Sequence, residues 1–301
     1  MKIDMCKKFD IIIPVALNEA LFVTKALPYL RKNLMGAERI FLITNNRNFR
    51  FLREEPKKDS KCVLIDENAL VEGLNFSVVK ALLQEKYNGL LQPRTGWYFQ
   101  QFLKMGFALS QYASDYYLSW DADTLPLSPI SFFDGSHILY NPKREFHQPY
   151  FDTLKKLLGI DRGVDHSYIA EHMMFSVDIM REMVSDISNT SVPGDNWVQK
   201  IINSTDISMS KSCEMFSEFE TYGNYCALKY PGLYKPRHLN TFREAGFING
   251  RFLNESRLKT MSFDLDTASF ELHHSPPFPQ KLIHRLYCIY LRLMKFYVDY
   301  V

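Results

Sequence analysis

No C-x-x-C pair and no regularly spaced set of cysteines occurs in this chain. Its five cysteines, Cys6, Cys62, Cys213, Cys226 and Cys288, are scattered and odd in number. That excludes a disulfide scaffold and a zinc site and leaves reduced thiols, as in the cytosol, as the expectation. A basic excess is missing too: 36 Lys+Arg stand against 34 Asp+Glu, a net charge of +2, which argues against a nucleic-acid binder. Nor does any segment reach the roughly 18 uninterrupted apolar residues of a spanning helix. The early run Ile11-Ile12-Ile13-Pro14-Val15 is too short for the apolar region of a signal peptide. The expected location is cytoplasmic. Internal repeats and low-complexity linkers are also lacking.

What is there is an ordinary globular composition, 46% apolar and 23% charged over 301 residues, enough for a sizeable core. The first half alternates strand and helix signals. Residues 9–15, 39–44 and 62–65 are short continuous apolar runs, the pattern of strands buried on both faces. Helical patterns cover residues 18–33, with a break or restart expected near Pro28, then 67–85 and 97–112. Strands separated by helices of this length predict an α/β fold with a mostly parallel, doubly wound sheet. In the second half, residues 150–158, 178–188, 197–203 and 217–230 read as helices and 173–177 as a strand. We expect a single domain over residues 1–280 with halves at 1–130 and 131–280, followed by an amphipathic helix at 281–301. In that helix Lys281, Arg285, Arg292, Lys295 and Asp299 share one narrow stripe and the rest is apolar. Such a helix packs on its domain or a partner, or lies peripherally on a membrane, here the inner face of the cell membrane.

The densest chemistry is in Tyr116-Tyr117-Leu118-Ser119-Trp120-Asp121-Ala122-Asp123-Thr124-Leu125-Pro126. An apolar strand ends on two carboxylates one residue apart. Acids where a buried strand meets solvent are costly unless something positive sits there. A hard divalent cation is the usual solution, and it keeps open positions for phosphates. In doubly wound sheets ligands bind beyond the carboxyl ends of the strands, where Asp121 and Asp123 fall. A solvated turn is the bland alternative.

The first strand runs into Pro14-Val15-Ala16-Leu17-Asn18-Glu19. Asn18 suits a helix N-cap, or this loop contacts a nucleoside through Pro14, Asn18 and Glu19. Together these two motifs resemble those of bacterial-type GT-A fold glycosyltransferases, whose first strand leads into Pro-Val-x-Asn-Glu, one residue shorter than here. Their metal motif is an Asp-x-Asp after a later strand, as in Asp121-Ala122-Asp123. The resemblance covers about the first 130 residues with recognisable motifs. It implies a nucleotide-sugar-binding half at 1–130, an acceptor-side half at 131–280 and a metal-dependent hexosyltransferase, of the kind that builds polysaccharides. The implied co-substrate is a nucleotide sugar, uridine-diphosphate-linked by expectation. Its nucleoside lies by the first loop and Asp66, and its diphosphate binds manganese or magnesium on Asp121 and Asp123. The implied acceptor is a hydroxyl of a glycan or lipid-linked glycan.

Further residues fall into place under that resemblance. Trp97, Gln100, Gln101 and Lys104 share one helical face, with Arg94 just ahead of it. Such a face suits a sugar diphosphate, with cations for charge, amides for hydroxyls and an aromatic for the ring; a wetted helix face is the alternative. Glu171 and His172 open a strand and are expected to face donor or acceptor. Inverting transfer needs a carboxylate base, for which Glu218 and Glu220 are the candidates, with Asp195 behind them. In many metal-dependent members a late histidine completes the metal site, pointing here to His273 or His274. Two rival readings remain: a haloacid-dehalogenase-type phosphatase using Asp121-Ala122-Asp123-Thr124, and a non-catalytic carbohydrate-binding protein on the same fold.

Overall fold

The computed structural model describes residues 7–88, 94–206, 213–251 and 254–300. Cys6 and Val301, which figure in the sequence readings, lie outside them; Cys62, Cys213, Cys226 and Cys288 are free thiols. The fold is mixed α/β with a mostly parallel sheet flanked by helices. The chain forms two compact units. One comprises Met1–Ile65, Trp120–Phe132 and His238–Val301, the other Asp66–Ser119 and Phe133–Arg237.

In the first unit the strand Phe9–Pro14 lies beside Ala37–Thr44, with Cys62–Asp66 on the far side of the latter. The first pair is parallel, Ile11 opposite Ile40 and Ile13 opposite Leu42. A continuous Ile run fills the first of these strands because both its faces are covered; Ile11, Ile12 and Ile13 are fully buried. Asp10 is buried in the same strand and is satisfied by a forked pair of contacts from Arg39, at 3.0 and 2.5 Å. Helix Ala20–Asn33 buries Phe22, Val23, Ala26, Leu27 and Leu30, an i, i+3/i+4 stripe. It runs unbroken through Pro28, correcting the expected break. Asn18 is not its cap: residues Leu17–Glu19 form a 3-10 turn and Glu19 precedes the helix.

A second, smaller sheet sits in this unit. Thr267–Ser269 lies between Thr241–Phe242, to which it is parallel, and Thr124–Pro126, to which it is antiparallel. The Asn33 side chain donates to the Pro126 carbonyl at 2.7 Å, fastening that sheet to the first helix. Helix Gln280–Tyr300 closes the described chain. It packs through His284, Leu291 and Met294, and Arg50 lies over the Tyr297 ring at 5.0 Å.

In the second unit the strand Tyr116–Trp120 neighbours His172–Ser176. Around them stand helices Phe76–Tyr87, Thr95–Gly106, Gln148–Leu158, Val177–Ser188, Trp197–Ser204 and Glu218–Lys229. The first of these starts well after the expected residue 67. Gly73 takes φ +78, which interrupts a helix, and extended Asn75 then caps the helix by accepting from the Val78 N–H at 2.9 Å. Helix Trp197–Ser204 opens as expected, on Asn196, which accepts from Gln199.

Buried charge binds two of these helices. Lys104 Nζ meets Glu218 Oε1 at 3.0 Å, both side chains almost fully enclosed. The Glu218 N–H donates to Gln101 Oε1 at 3.0 Å, and the ammonium lies over the Phe219 ring at 4.5 Å. Removing one partner of such a pair strands the other charge away from water, at a cost of about 3–5 kcal/mol, whereas replacing both with apolar groups is near neutral. We therefore expect Lys104→Met to lower the guanidinium unfolding midpoint sharply and Lys104→Met with Glu218→Leu to restore most of it. Equal losses in both variants would show that apolar packing, not charge pairing, holds this contact.

Candidate active site

The carboxylate pair sits on a tight turn. The Thr124 N–H donates to the Asp121 carbonyl at 3.1 Å, so Asp121 and Asp123 occupy the first and third positions of a β-turn. The buried Trp120 indole donates to the Thr124 carbonyl at 2.8 Å and stiffens it. Thr124 then begins the short strand of the smaller sheet, and its hydroxyl reaches Asp123 Oδ1 at 3.3 Å.

That ladder brings distant chemistry to the turn. Thr124 is paired with Ser269, their hydroxyls 2.7 Å apart, and the Phe270 N–H donates to the Asp123 carbonyl at 2.9 Å. The next residues are Glu271, His273 and His274. One ligand atom from each of these three lies within 4.8 Å of the others, an arrangement able to hold a metal ion. His273 is exposed, its Nδ1 3.2 Å from Glu271 Oε2. His274 is buried, and its Nδ1 has no hydrogen-bond partner among the described residues. Burial lowers the His274 pKa, favouring the neutral imidazole that can ligate.

Space for that ring is made by Gly246. A Cβ there would stand 2.8 Å from His274 Cβ and Nδ1, closer than side chains tolerate. Phe247 lies against the ring, centroids 4.3 Å apart.

Glu19 and Arg251 complete the charge pattern. The Arg251 guanidinium is buried over the Phe22 ring at 5.3 Å. It donates to Glu19 Oε1 at 2.8 Å and to the Asn18 carbonyl at 3.2 Å, and a second contact reaches Glu19 Oε2 at 2.6 Å. Asn18 Nδ2 adds a 3.3 Å contact to Glu19 Oε1. The first loop is thus locked by a cation from much later in the chain.

Asp123 feels all of this. Its carboxyl pKa is pushed up to about 8, by burial first, then by the negative charges of Asp121 and Glu19, with Arg251 opposing and Glu271 adding to the rise. A carboxyl so placed resists ionising unless a cation arrives. Carboxylate oxygens with one neutral imidazole make a donor set that suits manganese and accepts magnesium on its oxygens. Among the described residues, the side chains close enough to share an ion are Glu271, His273 and His274, and Asp121 and Asp123 are joined to that segment through the backbone ladder.

The remaining predicted residues belong to the second unit. Asp66 ends its strand and accepts from the Asn68 N–H at 3.1 Å, a local turn contact. Arg94 pairs with Glu214, and Trp97 stacks on Tyr150, centroids 6.3 Å apart. Gln100 is half-buried, but Gln101 and Lys104 turn inward to Glu218, so the expected polar-aromatic face is largely interior. Glu218 is committed to Lys104. Glu220 accepts from the Ser167 hydroxyl at 2.5 Å and the Tyr168 N–H at 3.2 Å. Both placements have one cause: the helix Glu218–Lys229 buries its first turn, and buried carboxylates take partners. Asp195 is exposed on the turn before Asn196, its N–H donating to Gln199. His172 is buried with Arg237 Nη2 3.4 Å from its Nε2, and burial followed by Arg237 and Lys143 keeps it neutral. Beside it, Glu171 pairs with Lys143 at 3.3 Å.

Arg251 and Glu271 escaped the sequence reading. Glu271 stands two residues ahead of His273 and was discoverable as a third ligand in one short segment; Arg251, alone between Gly250 and Phe252, carried no signal.

Comparison with known proteins follows from this geometry. No curated protein sequence matches the chain. Solved structures similar to it include mouse xyloside xylosyltransferase 1 in its apo form, at 11% identity and TM-score 0.46, covering 91% of this chain and 100% of that one. The galactosyltransferase LgtC in complex with donor and acceptor sugar analogues is 11% identical, TM-score 0.42, over 94% and 95%. The mannosyltransferase Ktr4p from S. cerevisiae is 8% identical, TM-score 0.43, over 68% and 67%. Residues 21–248, well over half of the sequence, match the model of a family of unknown function, DUF6492, and the chain belongs to that family.

Proposed function

We propose that this protein is a metal-dependent glycosyltransferase that moves a sugar from a nucleotide-sugar donor, uridine-diphosphate-linked in the first instance, to a hydroxyl of a glycan or glycolipid. One observation carries the reading: the antiparallel ladder of Thr124–Pro126 with Thr267–Ser269 sets a turn bearing two aspartates against a segment bearing Glu271, His273 and a buried, unsatisfied His274. Asp121, Asp123 and His274 would hold manganese or magnesium, which when bound neutralises charge growing on a departing nucleoside diphosphate.

The chain's own residues do the rest. Arg251 fixes Glu19 and the carbonyl of Asn18, so the loop after the first strand has one shape before any ligand arrives. Gly246 and Phe247 fix the His274 ring. Trp120 and Ser269 hold the aspartate turn rigid. Preorganisation of this kind spares the reaction the reordering that a loose loop would need. Inversion was expected from Glu218 or Glu220; their carboxylates are engaged elsewhere, so the proposal names no base and no stereochemical course.

Uridine diphosphate with manganese is expected to raise the melting temperature; at a hundredfold excess over the dissociation constant, linkage gives about 2.7 kcal/mol. A panel of nucleotide sugars should show manganese-dependent donor hydrolysis with at least one. Asp123→Asn should abolish both effects while leaving the circular dichroism spectrum unchanged. Stabilisation by phosphate mimics with magnesium, and none by nucleotides, would support a phosphatase instead.

The raised Asp123 pKa gives a separate test without substrate. In the unfolded chain an aspartate releases its proton near pH 4, whereas in the folded protein it holds the proton to about 8. Between those values the native state binds more protons, so metal-free stability should fall as pH rises from 4 to 8. Asp123→Asn should flatten that slope, and manganese affinity should climb through the same interval. A slope unchanged in the variant would place the titration elsewhere.

Gly246→Val offers a third measurement. Crowding the His274 ring should weaken manganese binding, read by electron paramagnetic resonance, by about the tenfold or more seen when a ligand's support is lost. An unaltered affinity would remove His274 from the donor set.

A further inference from the structure

Helix Gln280–Tyr300 has three distinct sides. His284, Leu291 and Met294 face inward and are buried. Leu282, Ile283, Leu286, Ile289, Tyr290 and Leu293 face outward and are 44% to 63% exposed. Lys281, Arg285, Arg292 and Lys295 form an exposed basic stripe along one flank. Apolar side chains are common singly on surfaces, but a row of six on one helix marks a docking face.

We propose that this face lies flat on an anionic lipid surface, its leucines and isoleucines in the boundary between headgroups and acyl chains and its basic stripe on the headgroup phosphates. Charge selects this occupant. Over residues 280–300 the helix carries four cations and a single acid, Asp299, near its end, so a second copy docking through the same face would bring mostly like charges together with one carboxylate to meet them. Anionic headgroups meet that stripe directly, each Lys or Arg near the surface adding to the attraction. Tyr290, amphipathic and outward, suits the same depth. No helix among the described residues is long and apolar enough to cross a membrane, which agrees with a helix lying in the interface plane.

The inward side of the helix is tied to the candidate active site, since Tyr287 and His284 interact electrostatically with Arg251. Lipid binding nevertheless stands apart from sugar transfer, because its test reads no transfer.

The full chain should pellet with vesicles of phosphatidylcholine containing phosphatidylglycerol, should not pellet with phosphatidylcholine alone, and should be released by high salt. Leu286→Glu with Leu293→Glu should abolish pelleting while the melting temperature stays unchanged. Arg285→Gln with Arg292→Gln, on exposed positions where folding is not at stake, should weaken partitioning roughly thirtyfold and blunt its salt dependence. Failure of the wild-type chain to pellet, or equal pelleting by both variants, would overturn the proposal. A dimer seen by light scattering and broken by Leu286→Glu with Leu293→Glu would also overturn it and give the face to a second copy.

Discussion

Three backbone-paired residues on each side, Thr124–Pro126 against Thr267–Ser269, are what the candidate site depends on. An aspartate pair on a turn is by itself only a place where acids repel. Pairing with a later strand gives it a fixed backbone, a hydroxyl contact and an adjacent source of imidazole and carboxylate. The same ladder leads directly into Phe270, whose ring packs near Phe22 of the first helix, centroids 5.8 Å apart. Core packing and ligand placement are therefore served by one short segment.

Charge in the site is arranged by difference. Three acids, Asp121, Glu19 and Glu271, raise the pKa of Asp123 beyond the effect of burial, and one buried guanidinium opposes them. Arg251 spends its contacts on Glu19 and leaves Asp123 with its pKa still raised. A fully paired cluster would be stable and inert. In this one Asp123 stays protonated to higher pH than an ordinary aspartate, with a perturbed carboxyl at the end of a buried strand.

Legibility in the sequence followed burial on both faces. Strands Phe9–Pro14 and Ala37–Thr44 stood out because their paired, parallel segments are apolar, and Cys62–Asp66 because its short run is mostly apolar although it is only partly buried. The aspartate turn was legible for the complementary reason, since acids at the end of such a run are conspicuous. What failed was partner choice. Gln101 and Lys104 look like a ligand face until Glu218, far along the chain, is seen to fill it. Pro28 suggests a break, yet at that place the helix has enough apolar contact on its buried stripe to continue. The helix expected from residue 67 was delayed by Gly73, whose left-handed backbone a periodicity pattern does not register. Arg251 shows the limit most plainly, because its role comes wholly from where the fold carries it.

Thr124 and Ser269 stand 145 positions apart, and that separation has a consequence for biosynthesis. On a ribosome the acidic turn emerges long before its partner strand is made. Loop closure across so long a stretch is slow and entropically opposed, so nascent protein passes through an interval in which the turn bearing Asp121 and Asp123 has no partner strand. The turn therefore gains its backing strand only once translation has passed Ser269, and a prematurely terminated product lacks that support.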